Sequence, residues 1–579
     1  MEAAGFPASQ SAFAPLSTSD AWIGPKRKSG LIRRVSPVSG LAKPDVICYN
    51  PLKAVGEKTD RAARETEKTR HPFPVSCSSR RTAGGKSMTL KKLFTLLLAA
   101  LLLCSCAQSK QNADPDPTPA AEPAPGDETA PPEEDGDDFS SYMPSADYDG
   151  YTFCILKSGD ITWCLDEVWA ESVTGDAYKD AIYNRNSRIE DRFNITISQY
   201  EGDVNGAIKS SVTAGDDAYA IAYPSLSGAA SLGAQDLLVD LKMIDAFRFD
   251  MPWWDAAAAD YLTIADRLFF AENEINIQYD EATWVLFFNK NLIGQYLLES
   301  PYELVRENGW TMDKMHALMT TVAHDEDGNG SMNAPEDYFG FSTHWSSYVG
   351  LLAGAGESLV CLNDEGGYAS NLASERVLLI AEKINTIIND NTATVIPGRF
   401  RGASASNNEW AINTFYNGHS LFYGEVIGKF ADLREMENDF GLIPFPKFEP
   451  EQEYYTCEVL TSALAYVMPR SVLDKERSAN ITEGLAIDSH GDFMNAYLDT
   501  TITGKSIRDE DSREMLQIIF EYRVYDLGDI FGWANIVSIF QSAVDSGGET
   551  FASLAKKIGK SFAKSASGTL DAYRAASGQ

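Results

Sequence analysis

The sequence predicts an α/β protein whose folded part begins near Tyr151. Short apolar runs of strand length recur after that residue, and segments with helical spacing of apolar side chains separate them. Strands that alternate with helices imply a mostly parallel sheet. Ligands of such sheets bind beyond the carboxyl ends of the strands, so the loops there are the first places to look for function.

The first elements can be placed in order. An apolar run at 151–156 predicts a buried strand, and 175–193 predicts a helix because its apolar residues recur every three to four positions. The alternation at 195–200 predicts a second strand. A further helix and the apolar run 218–223 follow, and the loop 223–228 lies at a strand end. Similar signals continue to about residue 551, and the tail after Ala552, rich in Lys, Ala and Ser, is expected to be a helix or a frayed end.

Composition excludes several classes of protein. The chain has 579 residues, of which 44% are hydrophobic and 23% charged, with 49 basic and 83 acidic side chains and a net charge of -34. These values exclude a wholly disordered chain, a small disulfide scaffold and a polytopic membrane protein. The acidic folded part would repel nucleic acid and anionic lipid, so neither is an expected partner.

The amino-terminal segment is predicted to be a targeting sequence rather than a folded domain. Residues 1–87 lack any sustained apolar period and are expected to be disordered. From Met88 the chain reads MTLKKLFTLLLAALLLCSC, two lysines followed by an apolar run too short for an ordinary membrane span. This is the layout of a secretory signal peptide at 88–105. We therefore expect translation to begin at Met88, with 1–87 an artefact of gene-start assignment.

The end of the signal resembles a bacterial lipobox. In LCSC, Cys106 follows a small residue and is the candidate for lipid attachment, although Cys104 is an uncommon residue at its lipobox position. Signal cleavage without a lipid is the alternative. Residues 106–149 are rich in Pro, Ala, Asp and Glu and predict an extended acidic tether between a membrane anchor and the folded part.

One loop matches a calcium-binding motif at every specified position. Residues 325–336 read DEDGNGSMNAPE, which fits D-x-[DN]-x-[DN]-G-x5-E. Oxygen ligands at this spacing select Ca²⁺ over Zn²⁺, and Gly330 permits the sharp turn. A metal-free acidic turn is the alternative. A helix beginning near Thr311 precedes the loop and a strand follows it, so the site is expected to be solitary and structural. The predicted ligands are Asp325, Asp327, Asn329, Ser331, Asn333 and Glu336.

Several segments in a fixed order resemble the extracellular solute-binding proteins of family 1, the carbohydrate receptors related to maltose-binding protein. They are NRNSRIEDRFNITI, DAYAIAYPS, LLVDL, MPWWD, WVLFFNKNLI, PYELVRENGWTMDKM, FYNGHSLFYGEV and DFGLIPFPKFEPEQEYYT. Each segment alone is a weak signal, and their order and spacing over roughly 150–530 make the resemblance specific.

The resemblance implies a two-lobed periplasmic-binding-protein-like fold of type II, joined by crossover hinge strands. Residues 150–283 with 465–530 would form lobe 1, 284–464 would form lobe 2, and 531–579 would add carboxyl-terminal helices and a tail. The chain would cross between lobes at 278–288 and return at 461–468. Such receptors deliver a solute to the permease of an ABC importer and need no catalysis.

Candidate ligand contacts are aromatic and polar residues near strand ends. Sugars stack their C–H faces on aromatic rings, and their hydroxyls need charged or amide partners. Core packing is the alternative reading for each single aromatic residue, and we expect the pair Trp253 and Trp254 to be structural. The candidates are Tyr223, Ser225, Glu281, Trp284, Trp345, Tyr423 and Glu425.

Two common enzyme motifs are absent from the sequence, while a glycosidase carboxylate pair, which is defined by a separation in space, stays open. The six His residues form no H-E-x-x-H motif, and no G-x-S-x-G elbow occurs. The cysteines after Cys106 lack metal-like spacing, so buried thiols are expected, with Cys154 and Cys164 the one local disulfide candidate.

The expected function is that of a monomeric, lipid-anchored, extracytoplasmic receptor for a small solute, with an oligosaccharide as the first expectation. Its partners would be the permease subunits of an ABC importer, and Ca²⁺ would be structural. A secreted carbohydrate-active enzyme and a surface adhesion or scaffold lipoprotein are the alternatives.

Overall fold

The computed structural model describes residues 139–577, except 160, 334–335, 345, 364, 397–406, 503–509 and 547. The predicted signal peptide 88–105, the lipidation residue Cys106 and the candidate ligand contact Trp345 lie outside the described residues. Among the described helices, none has both the length and the apolar character that a bilayer span requires.

Strands and helices alternate along most of the described chain, which confirms the predicted α/β class. The strands are β1 Tyr151–Lys157, β2 Ile195–Glu201, β3 Ile221–Tyr223, β4 Trp284–Asn289, β5 Phe339–Thr343, β6 Val360–Leu362, β7 Tyr368–Ser370, β8 Thr394–Val395, β9 Ser420–Val426, β10 Phe440–Ile443, β11 Cys457–Glu458 and β12 Arg523–Val524. The helices are α1 Ala177–Phe193, α2 Val204–Ala214, α3 Leu226–Ala234, α4 Ala256–Leu262, α5 Gln278–Glu281, α6 Lys290–Gln295, α7 Pro301–Arg306, α8 Met312–Val322, α9 Ser347–Gly354, α10 Glu375–Ile388, α11 Asn407–Tyr416, α12 Phe430–Leu433, α13 Lys475–Asp488, α14 Met494–Ile502, α15 Glu510–Glu521, α16 Leu527–Phe531, α17 Ile536–Ser546 and α18 Gly548–Ala575.

The first sheet has the strand order β2-β1-β3, and all of its strands are parallel. The three strands predicted first are therefore confirmed, although β3 begins only at Ile221. A later segment pairs with the free edge of β3 in the antiparallel sense, through bridges from Ala222 to Val467 and from Ser225 to Leu464. The chain thus returns to the first sheet within the segment that the resemblance indicated.

Helix α1 shows why the local pattern predicts structure well in this region. Asp176 caps its amino terminus by accepting from the backbone N–H of Lys179, and Asn194 ends it in the left-handed conformation at φ 50°. Its apolar face is buried against the first sheet, including Ile182 and Phe193, which are both fully buried. Cap, period and terminator all agree, so the helix is specified by its own residues.

The second sheet has the order β10-β4-β9-β5-β8 and mixes strand directions. Strands β9, β5 and β8 are parallel, whereas β4 runs antiparallel to both β9 and β10. Four of its five strands thus run in one direction, which agrees with the predicted mostly parallel sheet, and β4 is the exception. The reason lies in the register: Trp284, the first residue of β4, pairs with Val426, the last residue of β9. The chain enters this sheet at the carboxyl ends of its parallel strands and must run the opposite way.

A buried arginine joins the segments that connect the two sheets. Arg523 lies in β12, which pairs with β11. Its Nη2 lies 3.2 Å from Oδ2 of Asp255, the cap of α4, and its Nη1 contacts the carboxylate of Asp280 in α5. The guanidinium also lies over the ring of Tyr279, 4.6 Å from its centroid. Because three separate segments supply these groups, the ion cluster fixes their relative positions.

The tryptophan pair packs as a structural feature, as predicted. Trp253 and Trp254 are buried, and both indole N–H groups donate to the carboxylate of Glu483, at 2.9 Å and 2.7 Å. Buried indole N–H groups need an acceptor, and α13 supplies one for both. The pair therefore attaches α13 to the segment that leads into α4.

The carboxyl-terminal helix α18 is long and packed rather than frayed. Tyr573 on this helix is buried, and its ring meets Phe269 edge-on with 4.9 Å between centroids. Closer to its middle, Phe562 packs edge-on against Trp533, which in turn contacts Tyr368 of β7. Helix α18 thus contacts parts of the chain that precede and follow the second sheet.

Candidate functional site

The loops that follow β1 and β9 meet, although these strands belong to different sheets. A Cβ atom placed on Gly428 would lie 2.9 Å from the carbonyl oxygen of Trp163 and 3.0 Å from Oε2 of Glu281. The backbone N–H of Leu165 also approaches Glu281 Oε2, at 3.4 Å. We call this set, Trp163–Leu165 with Glu281 and Gly428, the strand-end contact. It brings the carboxyl ends of both sheets together beside the crossing segment α5.

A polar cluster lies at the carboxyl ends of β5 and β9. His344 Nε2 lies 3.1 Å from Glu425 Oε2, and the hydroxyl of Tyr423 donates to the same oxygen at 3.4 Å. The ring of Trp284 packs on the imidazole of His344, with 5.0 Å between centroids. The structure therefore brings together three predicted ligand contacts, Trp284, Tyr423 and Glu425. All four side chains are at least nine-tenths buried.

His344 is the member of this cluster that the sequence reasoning missed. It stands next to Trp345 in the segment STHWSSY and directly follows β5. A strand-end position was the signal that could have identified it, because Ser225 was selected on that ground.

The remaining first-sheet candidates have local structural partners. The hydroxyl of Tyr223 donates to Oδ1 of Asn273 at 3.5 Å, and its ring meets Tyr466 edge-on, so the side chain is buried. Ser225 caps α3 by accepting from the backbone N–H of Gly228 at 3.1 Å, and it is half-buried. Both residues lie at the end of β3, and their roles as ligand contacts stay predictions.

Glu281 is a buried carboxyl group with an unusual proton affinity. Its exposed fraction is 3%, and burial raises its pKa from the ordinary 4.5 to about 7, while the hydrogen bond from the Leu165 N–H acts in the opposite direction. Burial also raises the pKa of the neighbouring Asp280 to about 7, although Arg523 acts to lower it. A group with such a pKa changes its charge near neutral pH.

The loop 325–337 gathers carboxylates, with one difference from the motif. Oxygens of Asp325, Asp327 and Asp337 lie within 4.8 Å of one another. Asp337 is fully buried and accepts from the backbone N–H groups of Glu326 and Asn333, at 3.0 Å and 2.6 Å. Glu336, the last position of the motif, is exposed. The third carboxylate of the cluster thus comes from the residue that follows the motif.

Other residues of the loop form tight turns and hydrogen bonds within it. Gly328 and Gly330 have φ of +68° and +79°, which side chains rarely adopt. Asn329 Oδ1 accepts from the N–H of Ser331 at 2.8 Å, and the amide of Asn333 donates to the Ser331 carbonyl at 2.9 Å. The backbone N–H of Asn333 lies beside Asp337, and the roles of Asn329, Ser331 and Asn333 as ligands stay predictions.

The disulfide candidate is not formed. The thiols of Cys154 and Cys164 are unbonded to each other, and Cys164 Sγ accepts from the amide of Gln278 at 3.3 Å. Both residues are half-buried, and Cys457 is fully buried. The structure therefore agrees with the prediction of thiols rather than a disulfide.

Comparison with solved structures finds proteins of the group that the sequence segments resemble. The maltose/maltodextrin-binding domain MalE from Bdellovibrio bacteriovorus, bound to maltotriose, is 10% identical, with 71% of this chain and 99% of that chain covered and a TM-score of 0.46. The substrate-binding protein Lmo0181 from Listeria monocytogenes, in complex with cycloalternan, is 13% identical, with 72% and 99% covered and a TM-score of 0.45. The GacH receptor of Streptomyces glaucescens is 12% identical, with 75% and 98% covered and a TM-score of 0.44. No family model matches the chain, and no curated protein matches it. At such identities and TM-scores the likeness says nothing about the ligand contacts of this chain.

The raised pKa of Glu281 predicts a pH dependence of stability. The folded protein holds this proton up to about pH 7 and the unfolded chain only to about pH 4.5, so the free energy of unfolding falls as pH rises between these values. Glu281→Gln should remove this loss, which amounts to at most about 3 kcal/mol. Urea unfolding at about pH 5 and about pH 8 measures it. The exposed Glu437→Gln serves as the matched control. Equal pH dependence in wild type and Glu281→Gln would contradict the assignment.

Proposed function

We propose that this protein is an extracytoplasmic receptor that binds a small solute, first of all an oligosaccharide, between two lobes and delivers it to an ABC importer. The observation that carries the proposal is the strand-end contact. Two α/β sheets present the carboxyl ends of their strands to each other beside the segments that connect them, and ligands of such sheets bind at those ends.

The polar cluster beside this contact supports a hydroxylated solute. An indole ring offers a stacking face, and a carboxylate with an imidazole offers paired acceptor and donor groups for hydroxyls. Trp284 and Glu425 are deeply buried in this conformation, so solute entry requires the loops after β1 and β9 to separate. Hinge motion about the crossing segments would allow this.

The proposed membrane attachment depends on the sequence alone. A lipid on Cys106 and the acidic tether after it would hold the folded part near a membrane while keeping it free to move. The predicted tether 106–149 ends earlier than expected, because Phe139 already packs edge-on against Trp253, with 5.4 Å between ring centroids. Wild type should partition into detergent after expression with its own signal, and Cys106→Ala should not. Equal partitioning of the two proteins would argue against the anchor.

The solute proposal is tested by thermal shift and calorimetric titration with maltotriose and a panel of neutral oligosaccharides. A solute that binds only the folded state raises the melting temperature. In Gly428→Ala the added methyl group would lie 2.9 Å from the Trp163 carbonyl and oppose closure. We expect affinity to fall about tenfold, since such overpacking costs about 1–3 kcal/mol.

The matched control for this variant is Gly294→Ala. Gly294 lies in α6, where a Cβ atom meets nothing within 4 Å, so the control should bind like wild type. Absence of binding across the whole panel would contradict the receptor function, and turnover of a sugar would favour the enzyme alternative. Wild-type affinity in Gly428→Ala would contradict closure at the strand-end contact.

We further propose that the loop 325–337 binds Ca²⁺. Three carboxylates within 4.8 Å, together with amide and carbonyl oxygens from the same loop, form the type of hard-oxygen ligand set that Ca²⁺ prefers. The loop connects α8 to β5, and β5 ends at the polar cluster. A bound ion would therefore stiffen the support of that cluster.

Two variants distinguish which carboxylate completes the site. Asp337→Asn should weaken Ca²⁺ binding more than about tenfold, because it removes a charge from the cluster, while Glu336→Gln should change it less than about twofold. Isothermal titration with CaCl₂ measures both, and melting temperatures in EGTA control for damage to the fold. The opposite order of effects would assign the ligand role to Glu336, as the motif alone predicts.

A further inference from the structure

A cavity of about 170 Å³ lies where the strands β11 and β12 meet α4 and α9. Its walls include Tyr261 of α4, Ala353 of α9, and Glu458 and Tyr525 from β11 and the end of β12. None of its lining residues belongs to the strand-end contact or to the polar cluster at the ends of β5 and β9. We call it the crossing-strand cavity, and it is separate from the site proposed for the solute.

A carboxyl group in the wall of this cavity has one oxygen without a hydrogen-bond partner. Glu458 has an exposed fraction of 2%, and its Oε1 has no hydrogen-bond partner within the described part of the chain. A carboxyl group is costly to bury in this way unless something compensates it. Burial, and then the nearby Asp529 and Asp526, raise its pKa well above the usual range.

The other acidic groups in the wall already have partners. Both oxygens of Asp526 accept backbone N–H groups, Oδ2 from Leu359 at 2.5 Å and Oδ1 from Gly528 at 2.7 Å. Glu357 pairs with Nε of Arg376 at 3.1 Å. The lining contains no Lys or Arg. Glu458 is therefore the acidic group in this cavity that is left for a ligand.

The hydroxyl groups of the cavity also present acceptors. Ser358 Oγ donates its proton to the Val360 carbonyl at 2.6 Å, and Thr456 Oγ1 donates to the Ala353 carbonyl. Each hydroxyl then offers only lone pairs. A ligand that matches this wall must supply several N–H or O–H donors, and a cation would favour the ionised form of Glu458 over the protonated form.

Two aromatic rings complete the wall. Tyr261 and Tyr525 lie with 6.2 Å between ring centroids at 48°, and the hydroxyl of Tyr525 is already bonded to Asp255 at 3.0 Å. Aromatic faces attract organic cations and cover their C–H groups. Tyr261 is 44% exposed and so lies at the mouth.

The geometry favours an organic cation over a metal ion. Within the described ranges, the metal-like grouping of three ligand atoms within 4.8 Å is Asp325, Asp327 and Asp337, and the carboxylates of this cavity do not form one. The volume also exceeds the roughly 30 Å³ share of one water molecule in the liquid. There is room for an alkyl chain beside a charged head.

We propose that the crossing-strand cavity binds a small primary alkylammonium ion, whose N–H groups donate to Glu458 and to the two hydroxyl oxygens while its chain packs against the tyrosine rings. This ligand is distinct from the solute of the proposed function. Its binding can be measured with no sugar present, so either proposal can fail while the other stands.

The test is calorimetric titration of the purified protein with butylammonium chloride, at constant ionic strength set with NaCl. We expect a dissociation constant of about 1 mM or lower, as suits a ligand of this size. Butanol, the neutral analogue, should bind at least about tenfold more weakly, because it cannot compensate the carboxylate. The lack of any butylammonium binding, or equal binding of butanol, would overturn the proposal.

Two variants locate the binding in the cavity. Glu458→Gln should weaken butylammonium binding about tenfold or more, and Tyr261→Leu should weaken it about threefold, since an exposed cation–π contact is modest. Glu365→Gln, on the exposed surface, is the matched control and should bind like wild type. Tyr261 lies at the mouth, so its variant keeps the test valid if Glu458→Gln unfolds. Wild-type binding by both Tyr261→Leu and a folded Glu458→Gln would overturn the assignment.

Discussion

The buried ion cluster around Arg523 is the interaction on which the arrangement of the two sheets depends. An arginine stays charged in proteins, so it must keep its carboxylate partners wherever it is buried. Asp255, Asp280 and Arg523 come from the cap of α4, from α5 and from β12, which are the segments between the sheets. Separating one partner would leave an uncompensated buried charge, at a cost of about 3–5 kcal/mol. The cluster thus holds these three segments in place relative to one another.

The candidate site illustrates how burial and function are combined. His344, Glu425 and Trp284 satisfy one another at the strand ends, which holds each side chain in one orientation before any solute arrives. Such preorganisation lowers the entropic cost of binding, because the side chains are already ordered. Glu281 lies between the loops that follow β1 and β9, where burial raises its pKa.

Local patterns explain which parts of the structure were predictable. The period, cap and terminator of α1 lie within one segment, and so do the strands β1 and β2 on either side. The direction of β4 depends on where the chain enters the second sheet, which no local pattern contains. Arg523 and Asp280 are 243 positions apart, so no local pattern could predict their pairing either. In the loop 325–337 the motif specifies spacing, but the backbone decides that Asp337 turns inward.

Helix α18 has a mechanical consequence for any opening of the molecule. Its 28 residues span about 42 Å at the usual rise per residue, and it is anchored near one end by Tyr573 on Phe269 and further along by Phe562 on Trp533. A helix that is packed at two points limits how far the parts of the chain that it contacts can rotate apart. Any opening at the strand ends therefore has to keep or break the contacts of α18 with Phe269, which precedes the second sheet, and with Trp533, which follows it.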